Sequence, residues 1–257
     1  MNTELLTERQ GDTLVLTLSG PTCRNALSPQ VYAAGIEALN MAETNPEVRA
    51  VILTGAQGHF CAGGDLQRLA HLRQTDLHAQ AGNLDAFHLW IEALRSFPKP
   101  VIAAVEGVAA GGGVSLVLAC DVVVAAEDAR FILAYGQVGL SPDGGATWHL
   151  TRALGRSGAL AQLWAGADRE AASATRWHQQ GLVQRLAPQG MALQAALSWA
   201  TELAQIPAGA LSSMKELVND ADQALRHHLL AEKQHFLVNL SRPEAGEAMA
   251  RFLRPKA

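Results

Sequence analysis

The chain has 257 residues, of which 49% are hydrophobic and 17% charged, with a formal net charge of −4. That length can bury a large core, and an acidic balance without any lysine–arginine run argues against nucleic acid or an anionic membrane as a partner. Cys23, Cys61 and Cys120 are too few and too scattered for a disulfide framework, and no apolar run approaches the ~18 residues of a spanning helix.

The first residues carry acids rather than a signal-like apolar core, so a cytoplasmic location is expected. In Thr13–Ser19, Leu14, Leu16 and Leu18 alternate, which predicts a strand with one buried face, ended by Gly20-Pro21. Ser28-Pro29 offers a cap residue and a first-turn proline, predicting a helix to about Thr44 that Asn45-Pro46 stops. Arg49–Thr54 predicts the next strand. Leu66–Phe97 reads as helical, with a polar interruption over Gln74–Asn83 expected to be a mobile surface loop.

Val101–Val105 is short, branched and uncharged, as a strand buried on both faces would be. Gly107 and Gly111–Gly113 then bracket a turn, and Val114–Cys120 reads as a short buried helix. Asp121–Ala126 and Ala129–Leu133 predict strands. Ala146–Leu154, Ser157–Ala165, Ala171–Gln180 and Met191–Gln205 predict helices, followed by others at about 208–219, 222–238 and 243–254. The rhythm is one of stacked ββα turns. Neither GxxxxGK with a following Ser or Thr nor a well-placed GxGxxG occurs, which discards ATP and NAD.

Two predicted strands break at glycines into helices, one at His59–Leu66 and one at Gly111–Gly113. Such corners expose backbone N–H groups without intrahelical partners, and those donors suit an oxygen that becomes negative during a reaction. Each glycine group alone would serve equally for close helix–strand packing.

Four pieces settle on one family. Arg24-Asn25-Ala26-Leu27-Ser28, Phe60-Cys61-Ala62-Gly63-Gly64-Asp65-Leu66, Lys99–Asp121 and Gly139-Leu140-Ser141-Pro142-Asp143-Gly144-Gly145 stand in the order of the crotonase superfamily. The chain resembles these enoyl-CoA hydratases and isomerases over nearly its whole length. The resemblance implies an α/β, crotonase-like spiral of ββα turns at 1–195 and a helical C-terminal trimerisation region at 196–257. It further implies a homotrimer or a dimer of trimers. The substrate would be an acyl-CoA thioester, with coenzyme A entering as part of it and no tightly bound cofactor. Gly64 and Gly112 would donate the two N–H groups to the thioester oxygen. Arg24, Ala62, Asp65 and Leu66 would touch CoA, Arg24 through phosphate, which a guanidinium fork suits. Phe252 and Lys256 match the tail that reaches CoA.

The acid–base groups depart from the hydratase pattern. Where hydratases of the family carry a glutamate pair, this chain has Ser115 and Tyr135. Asp143 instead occupies the loop in which some isomerases and one dehalogenase type of the family place their functional acid. Asp143 would alternatively cap the helix that begins near Gly145. His88 lies at the edge of the apolar arc Leu84, Phe87, Ile91 and Leu94, as many merely half-buried histidines do. It also matches the base of the dehalogenase type. His227, His228 and His235 lack metal-ligand spacing, so no metal is expected.

Four readings follow. The first is isomerisation through an enolate, with Asp143 as acid and base. The second is dehalogenase-like hydrolysis with Asp143 as nucleophile and His88 as base. The third is hydration by a different acid–base set, and the fourth a non-catalytic CoA-binding or RNA-binding relative.

Overall fold

The computed structural model describes residues 3–166, 168 and 171–221. Eight strands are β1 (Glu4–Gln10), β2 (Thr13–Ser19), β3 (Ala50–Gly55), β4 (Val101–Val105), β5 (Val108–Ala110), β6 (Val122–Ala126), β7 (Arg130–Ile132) and β8 (Arg185–Ala187). A six-stranded sheet runs β1-β2-β3-β4-β6-β8, and β5 pairs with β7 in a second, smaller sheet. Only the β1–β2 hairpin is antiparallel among these pairs. Cys61 bridges Ala109 and so extends the small sheet by one residue. Successive passes of the chain therefore add a strand to the large sheet, then a short strand or bridge to the small one, then helix. The result is the expected spiral.

The helices are α1 (Pro29–Thr44), α2 (Leu66–Thr75), α3 (Leu77–Ser96), α4 (Gly112–Ala119), α5 (Ala146–Ala165), α6 (Ala174–Gln179), α7 (Ala192–Leu203) and α8 (Ala208–Asn219). Strand alternation splits the core across the large sheet. Val51, Leu53, Val101, Ala103 and Val105 face the main core with Phe87, Trp90, Phe131 and Trp177. Ala50, Ile52, Ile102 and Ala104 face the opposite side, against Ala192, Ala196 and Ala200 of α7. Small residues on α7 let it lie close to the sheet, and the Glu106 carboxylate accepts from Gly190 N and Ala192 N at its start. The expected boundary at residue 195 falls inside α7, whose alanines on both sides of it seat on the same face.

Several expectations change in detail. β1 carries no apolar alternation because it is an exposed edge, and β5 and β8 are three-residue strands too short to show a period. Pro29 opens α1 as expected, yet the buried Ser28 hydroxyl caps nothing and has no hydrogen-bond partner among the described residues. The polar stretch 74–83 is not a loop. It is helical apart from Asp76, which ends α2 and caps α3 by accepting from Ala79 N at 2.9 Å. The break between Leu154 and Ser157 is a kink within α5 at Gly155, with φ 67°. α6 begins at Ala174 rather than Ala171, because the Ser173 hydroxyl caps it. The predicted helices at 222–238 and 243–254 lie outside the described residues.

Lys215 ties α8 to the sheet. Its ammonium donates to Asp121 Oδ2 at 2.8 Å, and the same oxygen accepts from Val101 N at 2.7 Å. Burial lowers the Lys215 pKa and raises that of Asp121, with each charge opposing the other's shift. Lys215→Ala leaves Asp121 without its cation at a site that is mostly but not fully dry. The expected cost lies between the limits for exposed and buried pairs, about 2 kcal/mol in urea denaturation. A loss below about 0.5 kcal/mol would show that water already screens the pair.

Candidate active site

The two glycine corners meet. A side chain at Gly63, which sits at φ 84°, would press on the Ala110 carbonyl and stand 3.3 Å from Gly112 N. Gly111, at φ 50°, turns the chain into α4 and donates its own N–H to Ile132 O. Among the described residues neither the Gly64 nor the Gly112 amide has an acceptor. Two free donors thus lie on adjoining segments, as an oxyanion site requires.

The loop between β2 and α1 fixes the first corner from below. Arg24 and Asn25 both adopt left-handed backbone, at φ 51° and 60°. Asn25 is 1% exposed. Its Oδ1 accepts from Gly20 N at 2.8 Å, while its Nδ2 donates to the carbonyls of Ala56, His59 and Phe60 at 3.1, 2.8 and 3.3 Å. Ala62 N donates to Arg24 O and Leu27 N to Gly63 O, at 3.0 and 2.8 Å. Arg24, Ala62, Asp65 and Leu66 are thereby gathered on the segments flanking Gly64. Arg24 is exposed and Leu66 is 56% exposed, whereas the Asp65 carboxylate caps α2 through Gln67 N and Arg68 N. Phe252 and Lys256 lie outside the described residues.

Asp143 follows a short 3-10 turn, Ala134–Val138. The Tyr135 hydroxyl donates to Asp143 Oδ1 at 2.8 Å, and the Ser115 hydroxyl donates to the Asp143 carbonyl at 2.8 Å. Tyr135 and Ser115 therefore both hold Asp143, the first through its side chain and the second through its backbone. Burial first, and then the Asp143 charge, push the Tyr135 pKa far up, so its phenol remains a protonated donor. Asp143 Oδ2 has no hydrogen-bond partner among the described residues.

The helix-cap reading of Asp143 is corrected. Gly145 is the cap residue of α5, and only the Asp143 carbonyl takes part, accepting from Ala146 N at 3.3 Å. Gly144 and Gly145 are both left-handed, at φ 57° and 78°, and they separate the carboxylate from the first helical turn. A side chain at Gly144 would collide with Phe87 and Ser115.

His88 is exposed on α3, and its Nε2 accepts from Gly144 N at a long 3.4 Å. The structure thus puts it beside the residue that follows Asp143. Tyr32 of α1 is a neighbour that the sequence reading missed. It packs on Phe87 and Trp90 with centroid separations of 5.1 and 6.3 Å. Its hydroxyl is pushed up to about 12 by burial, opposed by Arg68, with the Asp143 charge adding to the rise. A tyrosine inside the apolar face of α1 was its only signal. No group of three or more His, Cys, Asp or Glu side chains is placed to hold a metal among the described residues. No helix among them is long and apolar enough to cross a membrane.

A spiral of ββα turns with two glycine corners side by side is the architecture of the crotonase class. The chain belongs to the enoyl-CoA hydratase/isomerase family, whose sequence profile matches residues 8–256. It is 35% identical to the 2,3-dehydroadipyl-CoA hydratase of Escherichia coli, over 98% of this chain and 96% of that one. It is 33% identical to the 1,2-epoxyphenylacetyl-CoA isomerase of the same organism, over 85% and 82%. A crystal structure of an enoyl-CoA hydratase from a Polaromonas species superposes with a TM-score of 0.93, at 50% identity over 97% of this chain and 96% of that one.

Asn25→Asp replaces the amide donor with an oxygen facing three carbonyls while keeping the acceptor for Gly20 N. The loss expected in urea denaturation is about 2–4 kcal/mol near neutral pH. A stability equal to that of the unsubstituted protein would show that the loops hold without the amide.

Proposed function

We propose that the protein is an acyl-CoA isomerase in which one carboxylate, Asp143, moves a proton along the acyl group. The thioester oxygen would accept from the Gly64 and Gly112 amides and gather charge there as a carbon-bound proton leaves. Asp143 Oδ2 would take that proton and return it to a carbon further along, in a pocket where Tyr135 holds Oδ1 still. Isomerisation consumes no water, so a single acid–base group suffices. The observation that carries this reading is the pair of bonds from Ser115 and Tyr135 to Asp143. A carboxylate pair at those positions would activate water; a serine and a tyrosine instead leave Asp143 as the acid.

Coenzyme A would enter with the substrate, its phosphates near the exposed Arg24 and its remaining contacts on the Ala62–Leu66 segment. The expected trimeric assembly has support from exposed apolar side chains, notably Trp164, which is 80% exposed on α5. A second, hydrolytic reading is favoured by one contact, the Gly144 N–H to His88. In that reading Asp143 would displace a halide from the acyl group to form an ester, and His88 would activate the water that hydrolyses that ester and restores the carboxylate.

The deciding experiment follows a non-conjugated enoyl-CoA into conjugation by its ultraviolet absorbance. Asp143→Asn keeps size and most hydrogen bonds but carries no proton, so turnover should fall at least ~10²-fold with little change in ligand affinity. His88→Gln should cost little in isomerisation. Full activity of Asp143→Asn would overturn the assignment. Loss of turnover in His88→Gln, with an adduct on Asp143 in intact-mass spectra, would establish the hydrolytic route. A protein that binds acyl-CoA without turning over any thioester would be the non-catalytic relative.

Arg24→Ala should separately weaken CoA by about 1.5–3 kcal/mol if the guanidinium meets phosphate. An unchanged dissociation constant would remove Arg24 from the site.

A further inference from the structure

A cleft of about 350 Å³ lies between α3 and the start of α5. Gly144, the residue after Asp143, lines it, and Ile91, Arg95, Trp148 and His149 form much of the rest. Arg95 sits over the Trp148 ring at 4.6 Å from its centroid, and Arg152 sits over the same ring at 3.7 Å. Stacking on a π-face fixes a guanidinium while leaving the edge of its fork for hydrogen bonds.

No counter-charge is built in for Arg95, which has no ion-pair partner among the described residues. Glu92 lines the cleft but is exposed to solvent. Asp121 is felt by Arg95 at a distance, yet its carboxylate is already bound by Lys215 and Val101 N. Burial, reinforced by Arg95 and Arg152, presses the pKa of His149 down to about 4. The imidazole is therefore neutral near neutral pH and adds no charge of its own. A partly desolvated arginine at the end of an apolar-walled cleft is arranged for an anion that arrives with the ligand.

We propose that this cleft receives the far end of an acyl group that terminates in a carboxylate, which pairs with Arg95. The substrate class is then the dicarboxylic acyl-CoA thioesters. Ile91 and the exposed flank of Trp148 cover the methylenes, and the guanidinium fork takes the terminal carboxylate. This inference rests on the reading above, in which the thioester lies at Gly64 and Gly112 and the reacting carbons lie at Asp143.

The test is calorimetric binding of saturated dicarboxylyl-CoA thioesters of stepwise increasing length to the full chain. Monocarboxylic thioesters of equal length are the comparison. At one length the dicarboxylyl ligand should bind at least ~10-fold tighter, the size of one charge-assisted hydrogen bond. In Arg95→Gln the ratio of the two affinities should collapse to about one, and Arg95→Lys should keep part of it. Retained binding of the monocarboxylic thioester shows that each variant is folded. Equal affinities at every length, or a preference that survives Arg95→Gln, would overturn the carboxylate assignment alone. If no thioester of either kind binds, the acyl-CoA reading fails and this inference fails with it.

Discussion

One buried side-chain amide holds the active face together. Asn25 bonds four backbone groups, Gly20 N and the carbonyls of Ala56, His59 and Phe60, and so closes its own turn and clamps the segment that leads to Gly63 and Gly64. Gly20 N and the Phe60 carbonyl are buried, and unpaired each would cost free energy comparable to a lost hydrogen bond. The amide suits the place for two reasons. It offers a donor and an acceptor from one planar group, and asparagine tolerates the left-handed backbone found there better than most residues. With that loop fixed, Ala62 and Leu27 register the Gly63–Gly64 corner against Arg24, and the second corner at Gly112 packs on the first.

The other organising feature is chemical. Two carboxylates close together repel, and one of them is then pushed toward its neutral form. Here the neighbours of Asp143 are two hydroxyls. The phenol of Tyr135 is too deeply buried to ionise, and the serine hydroxyl is spent on the backbone. Such a setting places one carboxylate with one oxygen occupied and, among the described residues, one free.

Much of this was legible in the sequence because it rests on local patterns. Apolar runs at Thr13–Ser19 and Val101–Val105 and glycines after strands fix backbone conformation within a few residues. The single buried face expected of Thr13–Ser19 is corrected, because Val15 is buried on the side of the sheet opposite Leu16 and Leu18. The order of the four family pieces then gave the spiral. What was not legible depended on contacts distant in sequence. β1 is an edge strand placed by its pairing with β2 and by Leu5 against the core, and its own side chains carry no period. The polar stretch at 74–83 looked like a loop, but one aspartate serves as the end of one helix and the cap of the next. The bonds of Asp143 also escaped, since Ser115 lies 28 residues away and composition does not say which atom of a loop residue a hydroxyl will meet. The same holds for the stacking of Arg95 on Trp148.

Gly144 carries a consequence for how such a sequence can diverge. Its left-handed backbone disfavours any side chain, and the space where one would go is filled by Phe87 and Ser115. The inner wall of the cleft is thus closed to variation at that position from two independent directions. Glu92 and Trp148, which line the same cleft, are solvent-exposed and meet no such backbone limit. Under mutation and selection Gly144 would stay fixed while the exposed positions of the cleft drift, so the shape of its rim can change without disturbing the backbone that carries Asp143.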